Sequence, residues 1–182
     1  VNKKGKTLNL TDFDFIKGTE WEKYYDMLIQ NEEIIKKYEY EEVSVKSHDG
    51  LLLSGKLFLA KEPLFNVVMF HGYHSLSESN FAKIVEYFID KRGNILLVDQ
   101  RAHAKSEGKY IGFGILERYD VISWVDYLNQ RFKDMPVLLQ GISMGASTVL
   151  MASGITQNET IKGIVADCAY TSPWEVLKFF MK

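Results

Sequence analysis

One pentapeptide in this 182-residue chain has the residue types and spacing for nucleophilic chemistry. Gly141-Ile142-Ser143-Met144-Gly145 is a G-x-S-x-G pattern, placed directly after the apolar run Val137 to Leu139 and directly before a helical run. A strand that turns sharply into a helix needs small residues at the turn, and Gly141, Gly145 and Ala146 supply them. Ser143 then projects from the tip. The same turn aims backbone N–H groups and the positive end of the helix dipole at any developing negative charge, as acyl transfer requires. Met144 N–H is one expected oxyanion donor. The plainer reading of Ser143, a helix N-cap, explains the serine but neither glycine.

A second donor is expected from the loop after an earlier strand, and His71-Gly72-Tyr73-His74 follows Val67 to Phe70 at the right place. Tyr73 N–H is the candidate; taken alone, the segment also fits a tight turn that ends a strand. A general base must come within about 3 Å of Ser143 Oγ and be oriented by a third group. His48 falls in a hairpin turn, His103 in the loop after Asp99, and His74 beside the oxyanion loop, where it could line the entrance. Each reads as a surface or loop histidine. Asp167 ends the run Ile161 to Ala166 and is either an acid in a variant arrangement or a structural acceptor of loop amides near Tyr170, Thr171 and Ser172. Cys168, the one cysteine, reads as a small buried apolar residue, so no internal disulfide can form and zinc-ligand spacing is absent. No metal or cofactor is expected, since neither G-x-G-x-x-G nor G-x-x-x-x-G-K-[ST] occurs.

The elements that must position these residues follow from periodicity. Trp21, Tyr24, Leu28, Ile35 and Tyr38 recur at helical spacing and predict an amphipathic helix over Glu20 to Tyr38. Val43 and Val45, the Asp49-Gly50 turn, and Leu51, Leu53, Leu57 and Leu59 predict an antiparallel hairpin. Short apolar runs then alternate with helical segments: strands at Val67–Phe70, Ile95–Val98, Val137–Leu139 and Ile161–Ala166, with helices from about Glu78 to Lys91, about Ile115 to Phe132, and from Ser143 or Met144. Ser75-x-x-Glu78 reads as a capping box. The expected fold class is α/β: a hairpin leading into a mostly parallel sheet with helices on both faces. Residues 1–38 form a helical extension and 39–182 the core.

Composition narrows the partners. With 22 Lys and Arg against 24 Asp and Glu, a pI near 6.1 and 46% hydrophobic residues, the chain is an ordinary globular one without a basic stripe for nucleic acid. Its apolar runs are strand-sized, far short of the roughly 20 residues of a membrane span. Val1 to Leu10 holds no hydrophobic signal core, a segment before Val1 is expected, and the single cysteine favours a reducing, cytoplasmic compartment.

The two motifs together resemble the α/β-hydrolases, in the branch of serine-aminopeptidase-like and monoacylglycerol-lipase-like esterases, over residues 39–174. Asp99-Gln100-Arg101-Ala102-His103-Ala104-Lys105-Ser106-Glu107-Gly108 is similar to that branch's D-x-R-G-x-G-x-S-x-G loop, with Ala102 and Ala104 in place of two glycines. Because alanine tolerates positive φ poorly, these positions are expected to have negative φ, or the loop a different path. The resemblance implies a serine hydrolase acting on a small-molecule or peptide acyl substrate, with Tyr170 and Trp174 either lining an apolar acyl pocket or packing in the core. It also implies that the acid and histidine follow on later strands, beyond residue 182, since the 39 residues after Ser143 contain no histidine. The 182-residue chain alone is then expected to lack turnover and to expose a sheet edge at Ile161 to Ala166 that invites self-association. The competing reading is a non-catalytic binding module or inactive fragment of the same fold.

Overall fold

In the computed structural model, which describes residues 12–181, the aliphatic runs pair into one sheet. The hairpin is β1 (Glu41–Lys46) and β2 (Leu52–Phe58), antiparallel from Glu41↔Leu57 to Lys46↔Leu52. β3 (Phe65–Phe70), β4 (Gly93–Val98), β5 (Val137–Ile142) and β6 (Ile161–Asp167) follow, and the spatial order is β1-β2-β4-β3-β5-β6. β2 meets β4 antiparallel; β4, β3, β5 and β6 run parallel. The C-terminal ends of the parallel strands therefore share one end of the sheet with the β1–β2 turn.

Strand alternation sends successive side chains to opposite faces, and each face is covered by helices. On one face Phe58, Val67, Met69, Ile95 and Leu97 pack against Ile35 of α2 (Tyr25–Lys36) and Phe81, Ala82 and Val85 of α3 (Ser77–Asp90). On the other, Leu57, Val68, Phe70, Leu96 and Val98 pack against Val121, Trp124 and Leu128 of α4 (Glu117–Arg131) and Val149 of α5 (Met144–Ser153). β3 and β4 are apolar along nearly their whole length because both of their faces are covered. β6 pairs with β5 alone among the described residues, and Val165 on it is 45% exposed. α6 (Pro173–Phe180) follows, capped by the Ser172 hydroxyl accepting from Trp174 N–H.

Two local expectations are corrected. The helix over Glu20 to Tyr38 is a 3-10 turn at Glu22–Tyr24 followed by α2, preceded by the short α1 (Phe13–Ile16). Leu28 and Ile35 are buried, whereas Trp21 and Tyr24 stay exposed because their turn does not reach the sheet. The capping box does not form. Leu76 holds the N-cap position of α3, and the Glu78 carboxylate is taken by Lys56 of β2 and by the Ser77 hydroxyl. Among the described residues no helix is long and apolar enough to cross a membrane. The expectation that Val1 to Leu10 holds no hydrophobic signal core falls outside the described residues.

Candidate active site

Ser143 is the single residue between β5 and α5, at φ 53°, ψ −113°. That conformation is costly for any residue with a Cβ, on the order of 1–3 kcal/mol, and persists only where the surroundings over-determine it. Here they do. Ser143 N–H donates to the Asp167 carbonyl at the end of β6 (2.8 Å), and its own carbonyl accepts from Ser147 N–H (3.1 Å). A Cβ on Gly145 would lie 1.9 Å from the Phe70 carbonyl oxygen, and one on Gly141 2.3 Å from the Gly145 backbone. Only glycines let β3, β5 and α5 meet this closely. The Ser143 side chain does not cap α5, so the N-cap reading is set aside, and Oγ makes no hydrogen bond among the described residues.

The loop after β3 lies against this elbow: a Cβ on Gly72 would stand 3.6 Å from Ser143 Cβ. Gly72 N–H donates to Asn80 Oδ1 (2.9 Å). The Tyr73 ring stacks on His74 (centroids 4.0 Å apart) and on Phe113 (5.2 Å), and it packs on a small cluster of Ala102, Ile111, Phe113 and Met144. Tyr73 N–H and Met144 N–H have no acceptor among the described residues.

The ring nitrogens of two histidines, His71 and His103, are hydrogen-bonded elsewhere, whereas His74 Nε2 is buried without a partner among the described residues. His71, fully buried, donates from Nδ1–H to the Gly72 carbonyl (2.7 Å) and accepts at Nε2 from Gln100 N–H (3.1 Å); burial pushes its pKa down to about 3. His103 is a loop histidine as expected but not a surface one. It is buried, donates from Nδ1–H to the Arg101 carbonyl (2.9 Å) and accepts at Nε2 from His74 N–H (3.2 Å), and burial lowers its pKa. His74 is half-buried, while His48 is exposed beside Tyr119. No imidazole nitrogen hydrogen-bonds Ser143 Oγ among the described residues.

The Asp99 loop departs from expectation. Ala102 (φ 62°) and Ala104 (φ 41°) both occupy the left-handed region, so the loop keeps a glycine-like path with alanines in it. What holds them is the hydrogen bonding around them: Ala102 N–H to the Glu107 carbonyl (3.0 Å), Ser106 N–H to the His103 carbonyl (3.0 Å), and Ser54 N–H to Ser106 Oγ (2.8 Å). Arg101 anchors the whole. Its buried guanidinium forks onto Asp120 (2.7 and 2.6 Å) and onto Asp49 of the β1–β2 turn (2.8 and 3.2 Å). Arg101 holds the Asp49 carboxyl down at about 2, while burial lifts Asp99 to about 6. His48, Asp49 and Asp120 have potential ligand atoms within 4.8 Å of one another, but Arg101 already occupies both carboxylates. This clamp was missed in the sequence; its only signal there is a fixed arginine inside the motif.

The residues at the end of β6 and beyond it also differ from expectation. The Asp167 carboxylate accepts from the Cys168 thiol (3.2 Å), not from loop amides. Cys168 is exposed, because the chain turns outward at its positive φ of 57° rather than tucking into the core. Tyr170 is anchored by its hydroxyl donating to the Phe113 carbonyl (2.8 Å) and by reciprocal bonds with Ser147, and it borders a cavity of about 340 Å³ with Ser147, Leu150 and Met151. Trp174 does not pack in the core: it is 57% exposed under Lys178 Nζ, and the described residues lining that cavity do not include it.

The family model for the serine aminopeptidases, S33, matches residues 61–182. The esterase Pf2001 of Pyrococcus furiosus is 26% identical with a TM-score of 0.68, over 82% of this chain and 60% of its own. A highly thermostable carboxyl esterase from Bacillus coagulans, 18% identical with a TM-score of 0.59 over 69% of this chain and 43% of that one, shares the fold. The uncharacterized protein YqkD of Bacillus subtilis is 27% identical over 117 residues, 64% of this chain and 38% of that protein. The chain thus spans less than two thirds of the length of each.

Proposed function

Since the chain belongs to the serine aminopeptidase S33 family of α/β-hydrolases, we propose that it carries the nucleophile and oxyanion half of a serine hydrolase. The observation that carries this reading is Ser143 itself: a strained, half-buried residue whose Oγ has no partner among the described residues, on the elbow against which the Gly72 loop lies, with Met144 N–H and Tyr73 N–H likewise lacking an acceptor there. Ser143 Oγ attacks the carbonyl carbon of an ester or amide. The resulting oxyanion is met by Met144 N–H and Tyr73 N–H, each worth about 3 kcal/mol to such a transition state. Collapse expels the alcohol or amine, which takes up the proton removed from Ser143, and water cleaves the acyl-enzyme. The acid and histidine that move this proton are supplied by residues outside those described. The esterases among the structural relatives favour an ester over an amide.

A fluorophosphonate probe tests the assignment on the longest form of the protein. Labelling that maps to Ser143 and vanishes in Ser143→Ala is expected; unchanged labelling in that variant removes the nucleophile.

A second reading, a non-catalytic module of the same fold, is favoured by one observation: among the described residues no imidazole bonds Ser143 Oγ. The 182-residue chain is accordingly expected not to hydrolyse p-nitrophenyl acetate. Turnover abolished by Ser143→Ala would instead assign the base to one of its own four histidines.

A further inference from the structure

The Gly72-Tyr73 segment is held at both ends by the Asp99 loop. At its start, Gln100 grips His71 twice: Gln100 N–H donates to His71 Nε2 (3.1 Å), and the Gln100 side-chain amide donates to the His71 carbonyl (2.5 Å). At its end, His74 N–H donates to His103 Nε2 (3.2 Å). Between these two attachments lie only Gly72 and Tyr73, whose N–H has no acceptor among the described residues. His74 sits at φ 51°, a left-handed conformation that a residue with a Cβ adopts at a cost, so its amide needs an acceptor to keep it there. His103 is the acceptor found.

We infer that His103 is a positioning residue for the oxyanion donor Tyr73 N–H, acting through the His74 backbone amide. The inference rests on the reading of Tyr73 as that donor. His103 suits the task because its other nitrogen is committed. Nδ1–H donates to the Arg101 carbonyl (2.9 Å), which fixes the tautomer and leaves Nε2 as a bare acceptor facing His74 N–H. Arg101 is in turn pinned by Asp120 and Asp49, so the acceptor stands on a rigid base. His71 has the same polarity, Nδ1–H to a carbonyl and Nε2 toward an amide, and its ring meets that of His103 edge-on at 4.8 Å. The other imidazole near His103 is that of His74, 6.1 Å away and stacked on Tyr73. Two buried neutral imidazoles thus tie down the ends of a two-residue segment against which Ser143 rests.

Leucine at 103 keeps bulk without an acceptor, whereas glutamine offers a carbonyl to His74 N–H and an amide to the Arg101 carbonyl. His103→Leu and His103→Gln are therefore compared with the unsubstituted chain by amide hydrogen exchange. In His103→Leu the His74 amide is expected to exchange about tenfold faster, as befits one lost hydrogen bond, while the Leu97 amide in β4 is unchanged. His103→Gln should restore most of the protection. The ring nitrogens of His103 in the unsubstituted protein should show protonated Nδ1 and bare Nε2, a signature that needs no variant to fold. Fluorophosphonate labelling of Ser143 should slow by about the same factor in His103→Leu and recover in His103→Gln, tracking the single bond. Unchanged His74 exchange in His103→Leu, a protonated Nε2, or normal labelling with His74 released would each overturn the inference. The exchange and ring-nitrogen readings do not depend on Ser143 chemistry, so they stand apart from a failure of the nucleophile assignment.

Discussion

Gly145 and Phe70 meet backbone to backbone: a methyl group on Gly145 would stand 1.9 Å from the Phe70 carbonyl oxygen. The contact seats the first turn of α5 directly on the end of β3, and that seating lays the Gly72 loop against Ser143. Gly145→Ala must push two backbone segments apart, at an expected cost of about 3 kcal/mol or more. Gly154 is the control, since a Cβ there would meet the Met151 carbonyl oxygen at an ordinary 3.6 Å. Gly154→Ala should be neutral or slightly stabilising. Urea midpoints compare the two, and equal midpoints would remove the close contact as the reason for the second glycine of the motif.

Ser143 stores strain on the same turn. At φ 53°, ψ −113° its Cβ is costly, and a glycine there would relieve it. Ser143→Gly is expected to raise stability by about 1 kcal/mol after the greater unfolded-state entropy of glycine is counted, whereas Ser143→Ala should not. Thermal melts of the three proteins check this. An alanine variant as stable as the glycine one would mean that the backbone is unstrained and that the serine hydroxyl is what costs.

Ala104 makes the same argument away from the site. It is exposed at φ 41°, so its methyl adds strain and buries nothing. Ala104→Gly is expected to stabilise the protein by about 1 kcal/mol. Ala102→Gly should gain less, because the Ala102 methyl is buried with Ile111, Phe113 and Met144. Denaturant midpoints of the two variants should fall in that order.

These alanines also mark where sequence reasoning stops. Val67 to Phe70 and Ile95 to Val98 announce buried parallel strands because their apolar runs are a local property, and the G-x-S-x-G turn announces itself because its glycines are required by contacts a few residues away. Arg101 finds Asp120 at a separation of 19 residues and Asp49 at 52, which no local pattern encodes. That clamp, with the surrounding hydrogen bonds, holds the loop on a path that alanine's own preference argues against. Glu78 was legible as half of a capping box until Lys56, 22 residues earlier, competed for its carboxylate. His103 was placed in the correct loop, but its burial depends on how that loop packs on His71 and His74. Trp174 has the residue type of a core or lining side chain, and its 57% exposure excludes the core; type does not say which way a helix end faces.

Burial sets two titrations of opposite sign. His71 has its pKa lowered from 6.5 to about 3, so between those values the unfolded chain binds a proton that the folded one refuses, and stability falls as pH drops through that window. Asp99 has its pKa raised from 3.8 to about 6, so between those values the folded protein holds the extra proton, and stability falls as pH rises instead. Each slope is about 1.4 kcal/mol per pH unit, and from about pH 4 to about pH 6 the two oppose one another. Asp99→Asn removes one of them while keeping an oxygen for Lys105 N–H, which Asp99 now accepts at 3.3 Å. The variant should lose stability more steeply on acidification than the parent. The difference between them should shift by up to about 3 kcal/mol between pH 6.5 and pH 4, in favour of the parent at the lower pH. Urea melts at the two pH values read this directly, and a difference that stays constant would mean that Asp99 ionises in the folded protein as freely as it does in the unfolded chain.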